Sequence, residues 1–347
     1  MITDWVDINV REQEILKLAV GTHIRTAQPV SSLYLVENNQ IPFSSATVRS
    51  IFVELENKHY LHSPHRSSGR LPTERAYRFY VENLPEERII DNEDRTQAQK
   101  EYLKCEFRLD EILDGTSKIL SLLTNYAGVV MGPQPEESVL KHIELIDMGE
   151  DEVLVLILTR SGAIHNRSLY LENRIPPDFL QKISRTLNDT YKGMELGEIK
   201  RELYERVRGG DDFLQYYLPV ARILADSIEA LRGDEAVFLH GVERLLVQTS
   251  ADSGTTLNLG SLFESKEYLK GILRNAIQLD DVNVIIDGDR DERLAGISIV
   301  TAGYKMGEKR IGTVGVIGPN RMDYLRIISI VDYLNLLLSG MITRLSN

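Results

Sequence analysis

Apolar residues recur at helical spacing along the first eighty-five positions. Ile15, Leu18, Ala19 and Thr22 fall on one face, which predicts a first helix that stops before the Thr26-Ala27-Gln28-Pro29 turn. Pro29 can open a short second helix, from Val30 to about Val36, because the N–H it lacks would be unpaired in a first turn anyway. Asn38, Asn39 and Pro42 close it. Ser44 or Ser45 can cap a third helix, in which Val48, Phe52 and Leu55 line one side at i, i+4 and i+7. Tyr60-Leu61-His62 and Arg70-Leu71 then read as two short extended segments around a polar loop. Thr73 caps a further helix through Tyr77, Tyr80, Val81 and Leu84. Three helices followed by a hairpin is the order of a winged helix-turn-helix.

The pattern then changes. Leu84 to Arg95 is polar and nearly without apolar periodicity, so residues 86–96 read as a linker between a head, 1–85, and a larger body. A seam of Tyr102, Cys105, Leu109, Ile112, Thr116, Ile119 and Leu123 alternates steps of three and four, predicting one helix from about Gln97 to Thr124 that buries this stripe. Strands are expected at Ala127–Met131, Leu140–Asp147, Glu152–Thr159 and Ala163–Tyr170, and again at Val282–Ile286, Gly296–Ala302 and Ile311–Ile317. A last helix, Asn320 to about Thr343, is apolar nearly all round and must be covered. Helix, strands, interruption, strands and helix predict an α+β domain in two parts, 97–194 and 276–347, split by an insertion at 195–275.

Composition bounds the class. A chain of 347 residues suits two or three domains. The single Cys105 excludes an intrachain disulfide and a Cys-built zinc finger. The longest apolar runs, such as Val153–Leu158 and Leu334–Leu338, fall short of the ~20 residues of a membrane span, and Met1–Val10, with Asp4 and Asp7, lacks a signal-peptide start. A cytoplasmic protein with no membrane partner is expected. The net charge of −12 speaks against a polyanion partner as long as it is treated as a whole-chain property. Divided along the chain it does not. Residues 1–48 carry −2, residues 49–80 carry +3, and with Glu82 the first 85 residues are neutral, so the acidity belongs to the body.

The local +3 falls where a helix-turn-helix would touch DNA. Ser44, Ser45, Thr47, Arg49 and Ser50 lie at the start of the third helix, where small hydroxyls permit close approach and helix N–H groups can hold a phosphate. Arg49 can reach a base edge or a phosphate. In the loop, His65, Arg66, Ser67 and Arg70 are concentrated with no acidic residue from Lys58 to Pro72, which suits phosphates or a minor groove. The bland alternative is that the serines only cap and the arginines are solvated. Other chemistry is not expected: His59, His62 and His65 alternate faces in an extended hairpin rather than forming a metal site. Asp287-x-Asp289-x-Asp291 lacks the Gly and Glu of a calcium loop. No GxGxxG, P-loop or nucleophile motif is present, so neither a cofactor nor an enzyme activity is predicted.

These residues also carry a resemblance. Pro29-Val30-Ser31-Ser32, Ser44 to Arg49, the Pro64-His65-x-Ser67-x-Gly69-Arg70-x-Pro72-Thr73 run and Tyr77-Arg78-Phe79-Tyr80-Val81 resemble the N-terminal domain of the bacterial heat-inducible transcription repressors of the HrcA family. Ile317-Gly318-Pro319-Asn320-Arg321-Met322-Asp323-Tyr324 is similar to that family's C-terminal signature. The chain departs from the family pattern at Ser31, Ser50, Arg66 and Ala76, where Gly, Asn, Thr and Gly are usual; Ser50 and Arg66 are DNA-facing positions, so base preference is expected to differ. The resemblance implies a GAF-like α+β domain interrupted by a dimerisation domain. It implies a homodimer on an inverted-repeat, CIRCE-type operator in double-stranded DNA, upstream of chaperone operons such as groE and dnaK. It further implies activity that depends on the GroEL chaperonin. Two other readings stand beside it: a repressor controlled by a small molecule in the GAF-like domain, and an interaction module whose head binds no DNA.

Overall fold

The computed structural model describes residues 7–39, 41–65, 69–105, 108–160, 162–171, 175–209, 217–231, 235–250, 253–279, 281–286, 288 and 290–346. The head is built from α1 (Val10–Thr26), α2 (Ser32–Asn39), α3 (Ser45–Asn57), β1 (Leu61–His62), β2 (Leu71–Pro72) and α4 (Glu74–Glu82). Asn9 and Glu12 form a reciprocal capping box at the start of α1, satisfying N–H groups that the first turn leaves unpaired. The apolar faces of α1, α3 and α4 meet around Leu16, Val20, Phe52, Leu55, Tyr60 and Phe79, all essentially buried. The second helix begins later than its proline suggests. Pro29 and Val30 stay extended because Val30 exchanges both backbone hydrogen bonds with Arg70, each 2.8 Å, adding a third short segment to the β1–β2 hairpin.

Residues 86–96 do not behave as a free linker. Ile90 is buried, the Arg88 guanidinium reaches both carboxylate oxygens of Asp281 at 2.5 and 2.6 Å, and α5 (Asn92–Tyr102) already begins inside this stretch. The single helix expected over 97–124 is two: α5 and α6 (Leu109–Thr124). After Tyr102 the chain turns back, and the Tyr102 hydroxyl sits 2.8 Å from Thr116 Oγ1. Gly115 makes that return possible, since a Cβ there would collide with the Cys105 sulfur. The seam thus folds on itself instead of running as one stripe.

The body holds two sheets. The larger is antiparallel in the order β7 (Val237–His240), β3 (Ala127–Met131), β10 (Lys309–Pro319), β9 (Ile297–Met306), β8 (Asn283–Ile285). Strands β9 and β10 are buried along almost their whole length because both faces are covered. One face takes α6 and α13 (Tyr324–Ser346) and shares its core with the head. The other takes α10 (Val242–Thr249), α11 (Ser253–Glu264) and α12 (Lys266–Ile277). By length and composition α13 could cross a membrane; here Ile327, Ile330, Leu334 and Leu338 are buried in this core.

The second sheet corrects the expected boundaries. Strands β4 (Leu140–Gly149), β5 (Glu152–Thr159) and β6 (Ile164–Tyr170) pair only with one another and pack on α7 (Pro177–Tyr191), α8 (Leu196–Gly209) and α9 (Tyr217–Ala230) around a separate core from Leu140 to Ile228. The inserted unit is therefore this sheet with its helices, not residues 195–275. Both β3 and β7 flank it, and Met131 pairs with Val237, so the insertion grows from the tip of what would otherwise be a hairpin. Residues 237–275, expected inside the insertion, contribute an edge strand and three helices to the main domain. The α+β class holds throughout.

Candidate nucleic-acid interface

Helix α3 presents its start to solvent. Ser44 is the N-cap, its Oγ accepting from Thr47 N at 3.2 Å and lying 2.9 Å from Thr47 Oγ1. Ser45 Oγ is 3.2 Å from Ser32 Oγ, tying the first turn of α3 to that of α2. Val48, Phe52 and Leu55 anchor the opposite face in the head core. Thr47, Arg49 and Ser50 are left exposed, the last donating to Ala46 O at 3.4 Å. Among the described residues the Arg49 side chain makes no hydrogen bond or ion pair, so its guanidinium is available. The N-terminal side of α3 therefore combines small hydroxyls, unpaired backbone N–H groups and one free cation on a rigid base.

The hairpin is placed beside it by a close backbone approach. A Cβ at Gly69 would lie 2.6 Å from the carbonyl carbon and oxygen of Val30, so only glycine lets the returning strand reach the Val30–Arg70 pair. Of the loop residues singled out above, Arg66 and Ser67 lie outside the described residues; His65 is exposed. Arg70 is not presented to solvent as expected. Its Nη2 is 3.0 Å from Glu56 Oε2 and its Nη1 donates to Ser63 Oγ at 3.2 Å, with the side chain only 20% exposed. An ion pair across the base of the hairpin holds it against α3, and Glu56, at the far end of that helix, was not among the candidates because nothing local in the sequence pairs it with a residue fourteen positions on.

The same holds for the rest of the +3 segment. Lys58 Nζ pairs with the buried Glu12 at 2.8 Å, Arg75 with Asp7 at 2.7 Å, and Arg78 donates to the Ile286 carbonyl at 2.6 Å. Most of the apparent positive charge is thus spent on the fold, and among the described residues of this segment Arg49 is the cation left on the α3 face. On α1, His23 is buried with Nδ1 2.6 Å from the Tyr77 hydroxyl. Burial, helped by the positive charge of Arg321, pulls its pKa down to about 4, so the ring is neutral near pH 7.

The family model for the HrcA protein C-terminal domain matches residues 110–328. The heat-inducible transcription repressor HrcA of Leptospira biflexa is 36% identical over 345 residues, covering 98% of this chain and all of that protein. The chain belongs to the HrcA family. The HrcA of Geobacter sulfurreducens is 33% identical over 339 residues, with 97% of this chain and 98% of that one covered. A hypothetical protein with a crystal structure at 2.2 Å resolution has the same fold, with a TM-score of 0.61 at 23% identity over 97% of this chain and 99% of that one. As a member of HrcA this chain is a heat-inducible transcription repressor.

Proposed function

We propose that the protein represses chaperone operons by binding an inverted-repeat operator as a homodimer in the cytoplasm. The head acts as a winged helix-turn-helix: α3 enters the major groove with Arg49 at a base edge or phosphate, and Ser44, Ser45, Thr47 and Ser50 approach the backbone. We assign phosphate contacts to His65, Arg66 and Ser67 on the strength of their residue types, and to Arg70 the positioning of the hairpin. The single observation that carries this reading is the exposed Arg49, whose side chain has no partner among the described residues while Lys58, Arg70 and Arg75 are held in ion pairs.

Twofold DNA requires a twofold protein, and the inserted unit offers the surface. Val153, Val155 and Ile157 face its own helices, so Leu154, Leu156 and Leu158 face outward, opposite Ile146 on β4 and Ile164 on β6. Ile164 is 61% and Tyr170 76% exposed on an edge strand. This outward face, an apolar stripe along β5 with Ile146, Ile164 and Tyr170, interrupted by His142, Glu144, Asn166 and Ser168, lies on a separate core and fits a second copy of itself. We assign the main α+β domain a GAF-like role as the frame between head and dimer, with the GroEL chaperonin setting the fraction of active repressor. Titrating a fluorescent chaperone-promoter inverted repeat against an isolated half-site tests the reading: the intact repeat is expected to bind more than tenfold tighter. Equal affinities would rule out a dimer reading two half-sites. Adding GroEL during refolding is expected to raise the operator-binding fraction, and no change would remove the chaperonin from the account.

A further inference from the structure

One face of α4 is turned away from the head, toward the body. Glu74, Tyr77 and Arg78, at i, i+3 and i+4, project together and each finds a partner there. Glu74 Oε1 accepts from Gly296 N at 3.0 Å and from Asn320 Nδ2 at 3.2 Å. The orientation of the Asn320 amide is fixed, because its Oδ1 accepts from the buried Ser298 Oγ at 2.7 Å while a carboxylate can only accept. The Tyr77 ring packs on the fully buried Tyr324, with centroids 6.3 Å apart, and the Tyr324 hydroxyl donates to Asn320 O at 2.6 Å. Arg78 reaches the carbonyl of Ile286 at the end of β8. Asn320 and Tyr324 both belong to the 317–324 signature, which no step in DNA contact uses.

We infer that Glu74 and Asn320 are positioning residues that lock the head to the body, so that the spacing between the two recognition helices of a dimer is set by the body rather than by a flexible tether. Binding both half-sites then depends on their separation matching a fixed distance. The inference rests on the proposed dimer on an inverted repeat, but the lock itself does not require DNA. It is chemically specific: a carboxylate faces an amide N–H and a backbone N–H, and replacing the amide by a second carboxylate sets two like charges against each other. Asn320→Asp should therefore release the head, and Glu74→Gln in the same chain should restore it, because a Gln amide can donate to the new carboxylate and accept from Gly296 N.

Two measurements test this on the full chain in a Cys105→Ser background. Spin labels at Glu37→Cys on α2 and Glu308→Cys at the β9–β10 turn, diluted with unlabelled protein, report the head-to-body distance by pulsed electron resonance. A single narrow distribution is expected in the parent, at least a twofold broader one in Asn320→Asp, and a narrow one again in the double variant. An unchanged narrow distribution in Asn320→Asp, with the variant folded by circular dichroism, overturns the lock; so does broadening that Glu74→Gln fails to reverse. Operators with the spacer lengthened by ~5 bp, half a helical turn, give the second readout. The parent is expected to lose at least tenfold in affinity on the lengthened operator, and Asn320→Asp less than threefold. Equal losses overturn the spacing role. If the parent shows the narrow distance yet binds no inverted repeat, the proposed function fails and the lock stands.

Discussion

Arg70 lies next to the loop that touches DNA in the proposed function, yet its guanidinium is committed to Glu56 and Ser63. Arg70→Ala is therefore expected to cost about 1–2 kcal/mol of stability while leaving the salt dependence of operator binding unchanged. Glu56→Gln should cost a similar amount, and the double variant less than the sum, since both remove one interaction. Denaturant titration of the three variants checks this; strict additivity would break the pairing. His23 sets a pH dependence. Its folded pKa, about 4, is depressed below the ordinary 6.5, so the unfolded chain takes up a proton that the folded chain refuses. Stability should be intact above pH 6.5, fall by about 2 kcal/mol as pH drops from there to 4, and level off below. His23→Gln, which can still accept from the Tyr77 hydroxyl, should flatten that window in urea unfolding; a fall of the same size would place its origin elsewhere. At this scale the sequence marks caps well, because a cap is local: Ser44 and Thr73 sit where their types predict. It hides long-range charge pairing, so the basic cluster from Arg49 to Arg78 looked freer than it is.

Among the elements, the head was legible because each helix carries its own apolar stripe and its own stop, and only Pro29-Val30 misled, drawn into the sheet by Arg70 from forty positions away. The body was legible in all its strands but β7, Val237–His240, whose four residues lie among helical segments, and it was not legible in its grouping. Strands β4 to β6 and strands β8 to β10 look alike as apolar runs, and which sheet each joins is decided by pairing that no local spacing encodes. The helix expected over 97–124 failed for a related reason: a heptad step cannot show that Gly115 leaves room for Cys105 to fold back. The Met131–Val237 pair leads to a prediction at this level. Replacing residues 134–234 with a two- to four-residue turn should leave the main domain and head folded, by circular dichroism and a cooperative melt, and monomeric by light scattering. A chain that fails to fold without the insertion would mean that the two cores are not independent.

For the whole molecule, the −12 charge resolves into an acidic body and a neutral head in which Lys58, Arg70 and Arg75 are held in ion pairs. Non-specific attraction to DNA should be weak, and affinity should come from two heads engaging together. Leu156→Glu, on the outward sheet face of the inserted unit, is then expected to yield a folded monomer by sedimentation with operator affinity reduced to that of a half-site. A dimer that persists would move the interface off this face. The central claim, that the start of α3 is the surface that reads the operator, is tested most directly by the affinity of Arg49→Ala for the intact inverted repeat across a salt series. Losing one phosphate or base contact per head should weaken binding by at least tenfold, about 1–3 kcal/mol for each head, and, where Arg49 meets phosphate, lower the salt slope by about two. An affinity and a slope indistinguishable from those of the parent would contradict it.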